Sequence, residues 1–389
     1  MKGCSVRFWL FNGCTLLALF PAQPTAAQII PDATLPVNST ITQAGNTRII
    51  EGGTSAGSNL FHSFQEFSVP TGGTAFFNNA LDIQNIFSRV TGGSISNIDG
   101  LIRANGNANL FRLNPNGIIL GRNARLNIGG SFLASTANSI VFADGSFFSA
   151  KTPQATPLLT ISVPIGLQYG GVAGSIVNQA RVTNRDNFVS GRQVQLGNTL
   201  ALVGGDVRLE GGILQAPGGR VELGGLAAAG IIRLSIDGKI LRLNFPEGVA
   251  RTDVFLNNIA GVLVDSTAGG DIAINARNLA MSEGSTLLAG IALSLDPSGT
   301  VAGNIEINAT EQVTISSGAI ANLIGTVGIA QTKGGDINIT TRSLSVKNGA
   351  GLSTSTLGLG NGGNISIIAT DSISLDGVDS NGFSTNASC

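Results

Sequence analysis

Apolar positions in this chain alternate with polar ones over runs of a few residues, and the runs are punctuated by glycine pairs. In Gly269-Gly270-Asp271-Ile272-Ala273-Ile274 the isoleucines fall on one face and Asp271 and Ala273 on the other. A period of two belongs to a half-buried strand and not to a helix. The run recurs as Gly303-Asn304-Ile305-Glu306-Ile307, Gly334-Gly335-Asp336-Ile337-Asn338-Ile339 and Gly362-Gly363-Asn364-Ile365-Ser366-Ile367. First isoleucines are 33, 32 and 28 residues apart. Each copy leads into a second short strand (313–315, 344–346, 373–375), then a glycine turn and often another apolar pair. Units of two or three short strands must stack to bury their apolar faces. The expected fold is all-β: a right-handed parallel β-helix (solenoid), with successive coils about 4.8 Å apart.

The same grammar is spaced more tightly upstream. Gly204-Gly205-Asp206-Val207 and Gly218-Gly219-Arg220-Val221 lie 14 residues apart, as strands on neighbouring faces would. Residues 28–150 are less regular and rich in phenylalanine (Phe61, Phe64, Phe67, Phe76, Phe77, Phe87). The open end of a solenoid needs an N-terminal cap, and these rings suit cap and core. Pro153, Pro157 and Pro164 flank the apolar run 158–163, which reads as a strand in a small extra-helical β insertion.

Composition narrows the class. Glycine is 54 of 389 residues, about twice the usual share of roughly 7%. Charged residues are only 12%, but 42% hydrophobic content is ample for a core. A net charge of −1 without a basic cluster argues against nucleic acid as a partner. Lys2 and Arg7, the apolar run 8–20 and the small residues Thr25, Ala26 and Ala27 form a secretory signal peptide, expected to be cleaved before Gln28. Cys4 and Cys14 leave with it, so Cys389 remains and no internal disulfide is possible. A chain without disulfides suits passage through a second membrane unfolded. The Ser-Thr-Asn-Ala-Ser-Cys ending reads as a truncated chain.

One stretch carries a family signature. Leu113-Asn114-Pro115-Asn116-Gly117-Ile118-Ile119-Leu120-Gly121 is preceded by Phe87-Ser88-Arg89-Val90-Thr91-Gly92-Gly93 and followed by Ala124-Arg125-Leu126-Asn127-Ile128-Gly129-Gly130. It resembles the haemagglutination-activity domain of filamentous haemagglutinin-like exoproteins, the secreted partners of two-partner secretion systems. Residues 200–227 resemble the later part of that domain, so the similarity spans roughly residues 30–265. Asn114, Pro115, Asn116, Gly117 and Ile118 match the family's Asn-Pro-Asn-Gly-Ile motif. The second family motif, Asn-Pro-Asn-Leu, is met only by Asn78-Asn79-Ala80-Leu81, which lacks the proline. The resemblance implies a signal peptide (1–27), a secretion domain (28–265) and a β-helical repeat stalk (266–389). It implies an outer-membrane two-partner transporter, whose periplasmic domains read the secretion domain through exposed strand edges. It also implies a secreted or cell-surface adhesin or scaffold, with an unknown receptor or glycan and no cofactor. Asn114 to Gly117 is in itself a turn, with proline fixing φ and glycine closing it. Whether it serves recognition or only folding is open from sequence.

An enzyme is the rival class, because other β-helices cleave polysaccharides. Hydrolysis needs two carboxylates about 5–9.5 Å apart in one groove, and the 23 acidic residues here are scattered. Asp206, Asp271 and Asp336 recur just after glycine pairs, where turn capping is the better reading than a calcium site. His62, the only histidine, allows no histidine metal cluster and fits packing at the cap. A third reading, the stalk of a contact-dependent toxin, would place its toxic domain beyond Cys389.

Overall fold

The computed structural model describes residues 28–153, 159–183, 189–190, 192–267, 269–292, 301–325, 332–357, 360–379, 382 and 384–389. Residues 1–27, expected as a signal peptide, and Pro157 and Leu158 lie outside the described residues. Among the described residues no helix forms, and the strands wind into a parallel β-helix.

Three faces run along it. The first stacks Asn59–Phe67, Asn85–Val90, Asn109–Leu113, Phe132–Ser135, Thr199–Val203 and Arg220–Gly224 in parallel register. The second stacks Ser96–Ile98, Ile118–Leu120, Ile176–Asn178, Val207–Glu210 and Val254–Asn257. Both continue into Asp271–Met281, Ile305–Ser316, Ile337–Lys347 and Ile365–Asp376. The two short strands expected in each repeat are thus one long strand, bent by a register shift such as that between Ala276 and Asn278. A third face stacks Ile213–Gln215, Gly261–Leu263, Thr286–Ile291, Ala319–Ile324 and Gly351–Thr356. Val207–Glu210 and Arg220–Gly224, read from their spacing as strands of neighbouring faces, lie on the second and first.

Equivalent isoleucines pair across coils: Ile272, Ile305, Ile337 and Ile365 in one row, Ile274, Ile307, Ile339 and Ile367 in the next. Within the stack they are buried. Ala273, expected to face outward, is buried too; it lines one groove with Leu243 and Phe245 of the extra-helical sheet.

The corners explain the glycine pairs. A Cβ on Gly335 would lie 1.9 Å from the Gly303 carbonyl oxygen, and one on Gly363 would lie 1.9 Å from that of Gly335. Backbone touches backbone there, so only glycine fits. The next residue carries the ladder over the corner. Asp271 Oδ1 accepts the Asn304 N–H (3.0 Å), Asn304 Oδ1 accepts the Asp336 N–H (2.9 Å), and Asp336 Oδ1 accepts the Asn364 N–H (2.8 Å). The recurring aspartates, expected to cap their own turn, instead cap the next coil. Asp and Asn alternate, which keeps carboxylates from stacking directly on one another.

The extra-helical insertion is an antiparallel sheet of Phe147–Ser149, Ser139–Phe142, Pro164–Tyr169, Gly230–Asp237 and Ile240–Asn244. The apolar run expected as its strand is not one: residues 159–163 are irregular, and the strand begins at Pro164, where a missing N–H is tolerated. The sheet sits on the outward side of the first face. Phe61, Phe87 and Phe111 stack there with centroids 5.1 and 4.8 Å apart, and Phe142 and Phe148 close over them. Phe64, Phe67 and Phe77 instead fill the solenoid interior. At one margin of the sheet, solenoid side chains bond the backbone of 239–243: Ser131 Oγ donates to Lys239 O (2.7 Å), while Thr199 Oγ1 and Glu222 Oε1 accept the N–H groups of Leu241 (2.8 Å) and Leu243 (3.2 Å). These bonds occupy an edge that could otherwise pair with another chain.

Asn304→Asp keeps the acceptor but stacks three carboxylates in a column with Asp271 and Asp336. It is expected to lower stability by about 1 kcal/mol at low salt, with much of the loss recovered in high salt. Urea unfolding at both ionic strengths measures this.

Candidate functional site

Asn114 to Gly117 forms the corner between the first-face strand Asn109–Leu113 and the second-face strand Ile118–Leu120. Asn114 is fully buried and uses both ends of its amide. Its Nδ2 donates to Ser94 O (3.1 Å) and Ser96 Oγ (2.9 Å), and its Oδ1 accepts the Asn116 N–H and Nδ2 (both 3.1 Å). The Gly117 N–H closes the turn onto Asn114 O at 3.2 Å, with a φ of 132° that favours glycine. The corner is also stitched to both neighbouring coils. Asn116 Nδ2 donates to Gly92 O (2.7 Å) on one side; on the other, Pro115 O accepts the Gly174 N–H (3.0 Å) and the Asn114 N–H reaches Ser135 O (2.9 Å). Gly174 has no room for a side chain, since a Cβ would lie 2.4 Å from the Asn116 carbonyl carbon. Pro115, Gly117 and Ile118 are buried as well, and only Asn116 is half-exposed, with Lys151 Nζ 3.4 Å from its Oδ1.

The second loop is built differently. Asn78 is exposed; its Nδ2 donates to Glu51 (2.8 Å) and its Oδ1 accepts from Asn105 Nδ2 (3.1 Å). Leu81 is 78% exposed and lies beside Gly106. The buried amide belongs to Asn79, which accepts the Asn105 N–H (2.9 Å) and donates to Asn105 O (3.2 Å). Among the described residues no hydrogen bond joins this loop to the Asn114 corner.

The buried charges were not singled out from the sequence. Arg89 donates from Nε to Ser63 Oγ (2.9 Å), from Nη2 to Thr34 Oγ1 (2.9 Å) and from Nη1 to Ser149 O (2.6 Å). It thereby ties the N-terminal segment, the first face and the extra-helical sheet together. Burial pushes the guanidinium down to about 10, against the opposing pull of Asp32. Burial alone would raise the Asp32 carboxyl, but bonds from Thr34, Thr91 and Ser63 outweigh it and hold the group below its ordinary value. A charge inside Asn85–Val90, a strand buried along its whole length, was the available signal. Arg220 pairs with Glu222 (2.6 Å) and Asp271 (3.0 Å), with Glu306 at 3.7 Å, so the carboxylates that converge there are held by a structural cation. Among the described residues no three His, Cys, Asp or Glu side chains gather in a metal-binding group.

A family model described as the TPS secretion domain matches residues 27–274. The chain belongs to that family. The match takes in the cap, both candidate loops and the extra-helical sheet, and it ends within the first of the long repeat strands. Two solved structures are similar to the chain. The HMW1 secretion domain from Haemophilus influenzae has 18% identity and a TM-score of 0.48, over 93% of this chain and 99% of that one. The filamentous hemagglutinin secretion domain has 15% identity and a TM-score of 0.44, over 89% and 98%. No curated protein matches the chain.

His62 is buried inside the secretion domain between Phe64 and Phe77, with its Nδ1 2.9 Å from Ser39 Oγ of the cap. Burial holds its pKa down to about 3, against 6.5 for a free imidazole. The folded state therefore keeps His62 neutral where the unfolded chain binds a proton. Its contribution is complete above pH 6.5 and is lost as pH falls from 6.5 toward 3, by about 1.4 kcal/mol per unit. Between pH 7.5 and pH 5 stability should drop by roughly 2 kcal/mol, and His62→Gln should flatten that part of the profile in urea titrations.

Proposed function

We propose that this chain is a filamentous haemagglutinin-like exoprotein, exported across the outer membrane by a dedicated two-partner transporter and working outside as a surface adhesin or extracellular scaffold. In this reading residues 1–27 are the signal peptide, 28–265 the secretion domain read by the transporter's periplasmic domains, and 266–389 a stalk. The observation that carries it is the family match over 27–274, which spans every motif residue. The coils beyond it support the stalk: they repeat one register, Ile305 on Ile272 and Ile337 on Ile305. A regular rod of identical interfaces displays material far from its anchor and propagates by nearest-neighbour contacts.

Burial favours a folding role for Asn114, Pro115, Gly117 and Ile118: a partner meeting the folded domain finds Asn116, Asn78 and Leu81 but not the other four. Exposed backbone for strand addition exists at Ser39–Ala44, the outer strand of the cap sheet, which among the described residues pairs only with Thr47–Gly52. Replacing Asn114 by Ile would remove its bonds to the Ser94 carbonyl, the buried Ser96 hydroxyl and the Asn116 amide, at a cost of about 2–4 kcal/mol.

The test is secretion of the whole chain with and without a two-partner transporter from the same genome, alongside Asn114→Ile. Transporter-dependent appearance in the medium is expected, with the variant lost to protease and weakened in β-sheet circular dichroism. Equal release without any transporter would overturn the export reading. A variant that folds normally yet stays inside the cell would move Asn114 from folding to recognition.

A further inference from the structure

Three arginines are buried among the described residues: Arg89, Arg112 and Arg220. Two are answered by carboxylates, Arg89 by the nearby charge of Asp32 and Arg220 by Glu222 and Asp271. Arg112 is not. It lies on the inward side of Asn109–Leu113 and is fully buried, and among the described residues no Asp or Glu forms an ion pair with it. Its Nη groups donate to the Ser88 and Ser96 hydroxyls, its guanidinium carbon sits 3.5 Å from the centre of the Phe67 ring, and its Nε finds no partner. The Ser96 hydroxyl that takes Arg112 Nη2 at 3.3 Å also takes Asn114 Nδ2 at 2.9 Å. An uncompensated cation is thus wired directly to the corner that carries the family motif.

Two hydroxyls, the near face of Phe67 and the more distant ring of Phe64 (6.0 Å) return only part of what a guanidinium loses when it leaves water without a counter-charge. That loss falls on one coil, and in a stacked array each coil needs its neighbours. The stalk contrasts with this: beyond Asp253 no charged side chain is buried among the described residues, and the inward rows are aliphatic apart from uncharged polar residues such as Asn322 and Thr354.

We propose that Arg112 is a folding brake on the secretion domain, a buried cation that delays closure of the Asn114 corner and so prolongs the time during which the chain stays unfolded and exportable. The proposal rests on the export reading above and adds to it a control on when the domain folds. It makes Arg112 a regulator of the motif corner and not a contact for the transporter.

Arg112→Met removes the charge and keeps an apolar chain of similar reach. The purified full chain, refolded from urea by dilution and followed by circular dichroism, should recover at least fivefold faster with this substitution. Ser88→Asp supplies the missing carboxylate beside Nη1 and should also accelerate refolding. In the Arg112→Met background the same Ser88→Asp change should slow it, because the carboxylate is then the unpaired buried charge. Refolding of Arg112→Met that is unchanged or slower overturns the brake. If that variant does not fold at all, Ser88→Asp alone decides, and no acceleration overturns it.

In cells, the chain is synthesised first and the transporter induced after a set delay. The interval over which the chain can still be exported should shorten by the same factor as refolding accelerates. Faster refolding with an unchanged interval overturns the brake's role in export. Release of the unsubstituted chain without any transporter would instead overturn the export reading and leave the refolding result standing.

Discussion

Everything in this molecule depends on one backbone meeting the next at strand spacing, coil after coil, with no polar group left over. Along the flat faces the parallel ladder satisfies the amides and carbonyls. At the corners the chain must turn while the neighbouring coil stays as close, and side chains get in the way. Gly303, Gly335 and Gly363 are the answer, each backbone lying against the next. Asp271, Asn304 and Asp336 then carry hydrogen bonding past the turn. The Asn114 corner solves the same problem with a larger kit: an amide that bonds four ways, a proline, and a glycine at positive φ held between two coils. What marks the family in sequence is thus a local solution to the constraint that governs the whole rod.

The secretion domain differs from the coils after it in what it buries. Its first face is covered on the outside by the extra-helical sheet, so residues at outward positions, Phe61, Phe87 and Phe111, become core. Covering a sheet face hides backbone and margin as well as side chains. Arg89 reaches the Ser149 carbonyl near one margin, and Glu222 takes the Leu243 amide at another. Burial raises the Glu222 carboxyl even with Arg220 beside it, which shows how dry that seam is. Such charges are expensive where an aliphatic side chain would pack, and they occur where two layers must be fixed in one orientation. Among the described residues the later coils have no second layer and bury no charge.

Much of this was legible in the sequence because a solenoid writes its structure as repetition. Alternating isoleucines and recurrent Gly-Gly-Asx corners specify strand, stacking and register together. The bend between Ala276 and Asn278 was not legible, since continuous strand and two short strands share one hydrophobic pattern. The extra-helical sheet was half visible. Prolines marked the excursion, but the apolar run 158–163 pointed to the wrong strand, and its second part, Gly230–Asp237 with Ile240–Asn244, carries no local sign of pairing with Pro164–Tyr169. At the site, the motif residues stood out, but their burial did not, because an Asn-Pro-Asn-Gly turn is as good on a surface as in an interior. Asn79, and not Asn78, supplies the buried amide of the second loop, and its burial and its bonds to the Asn105 backbone across the coils reveal that.

Hydrogen exchange across residues 113–120 of the folded chain tests the interior character of the Asn114 corner most directly. The Asn116 amide is held by Asn114 Oδ1 and the Ile118 amide by the Ser175 carbonyl, so both should exchange as slowly as the flanking strand Asn109–Leu113. Exchange of these amides within seconds, while that strand stays protected, would show the turn standing free of the coils and would contradict its place in the fold.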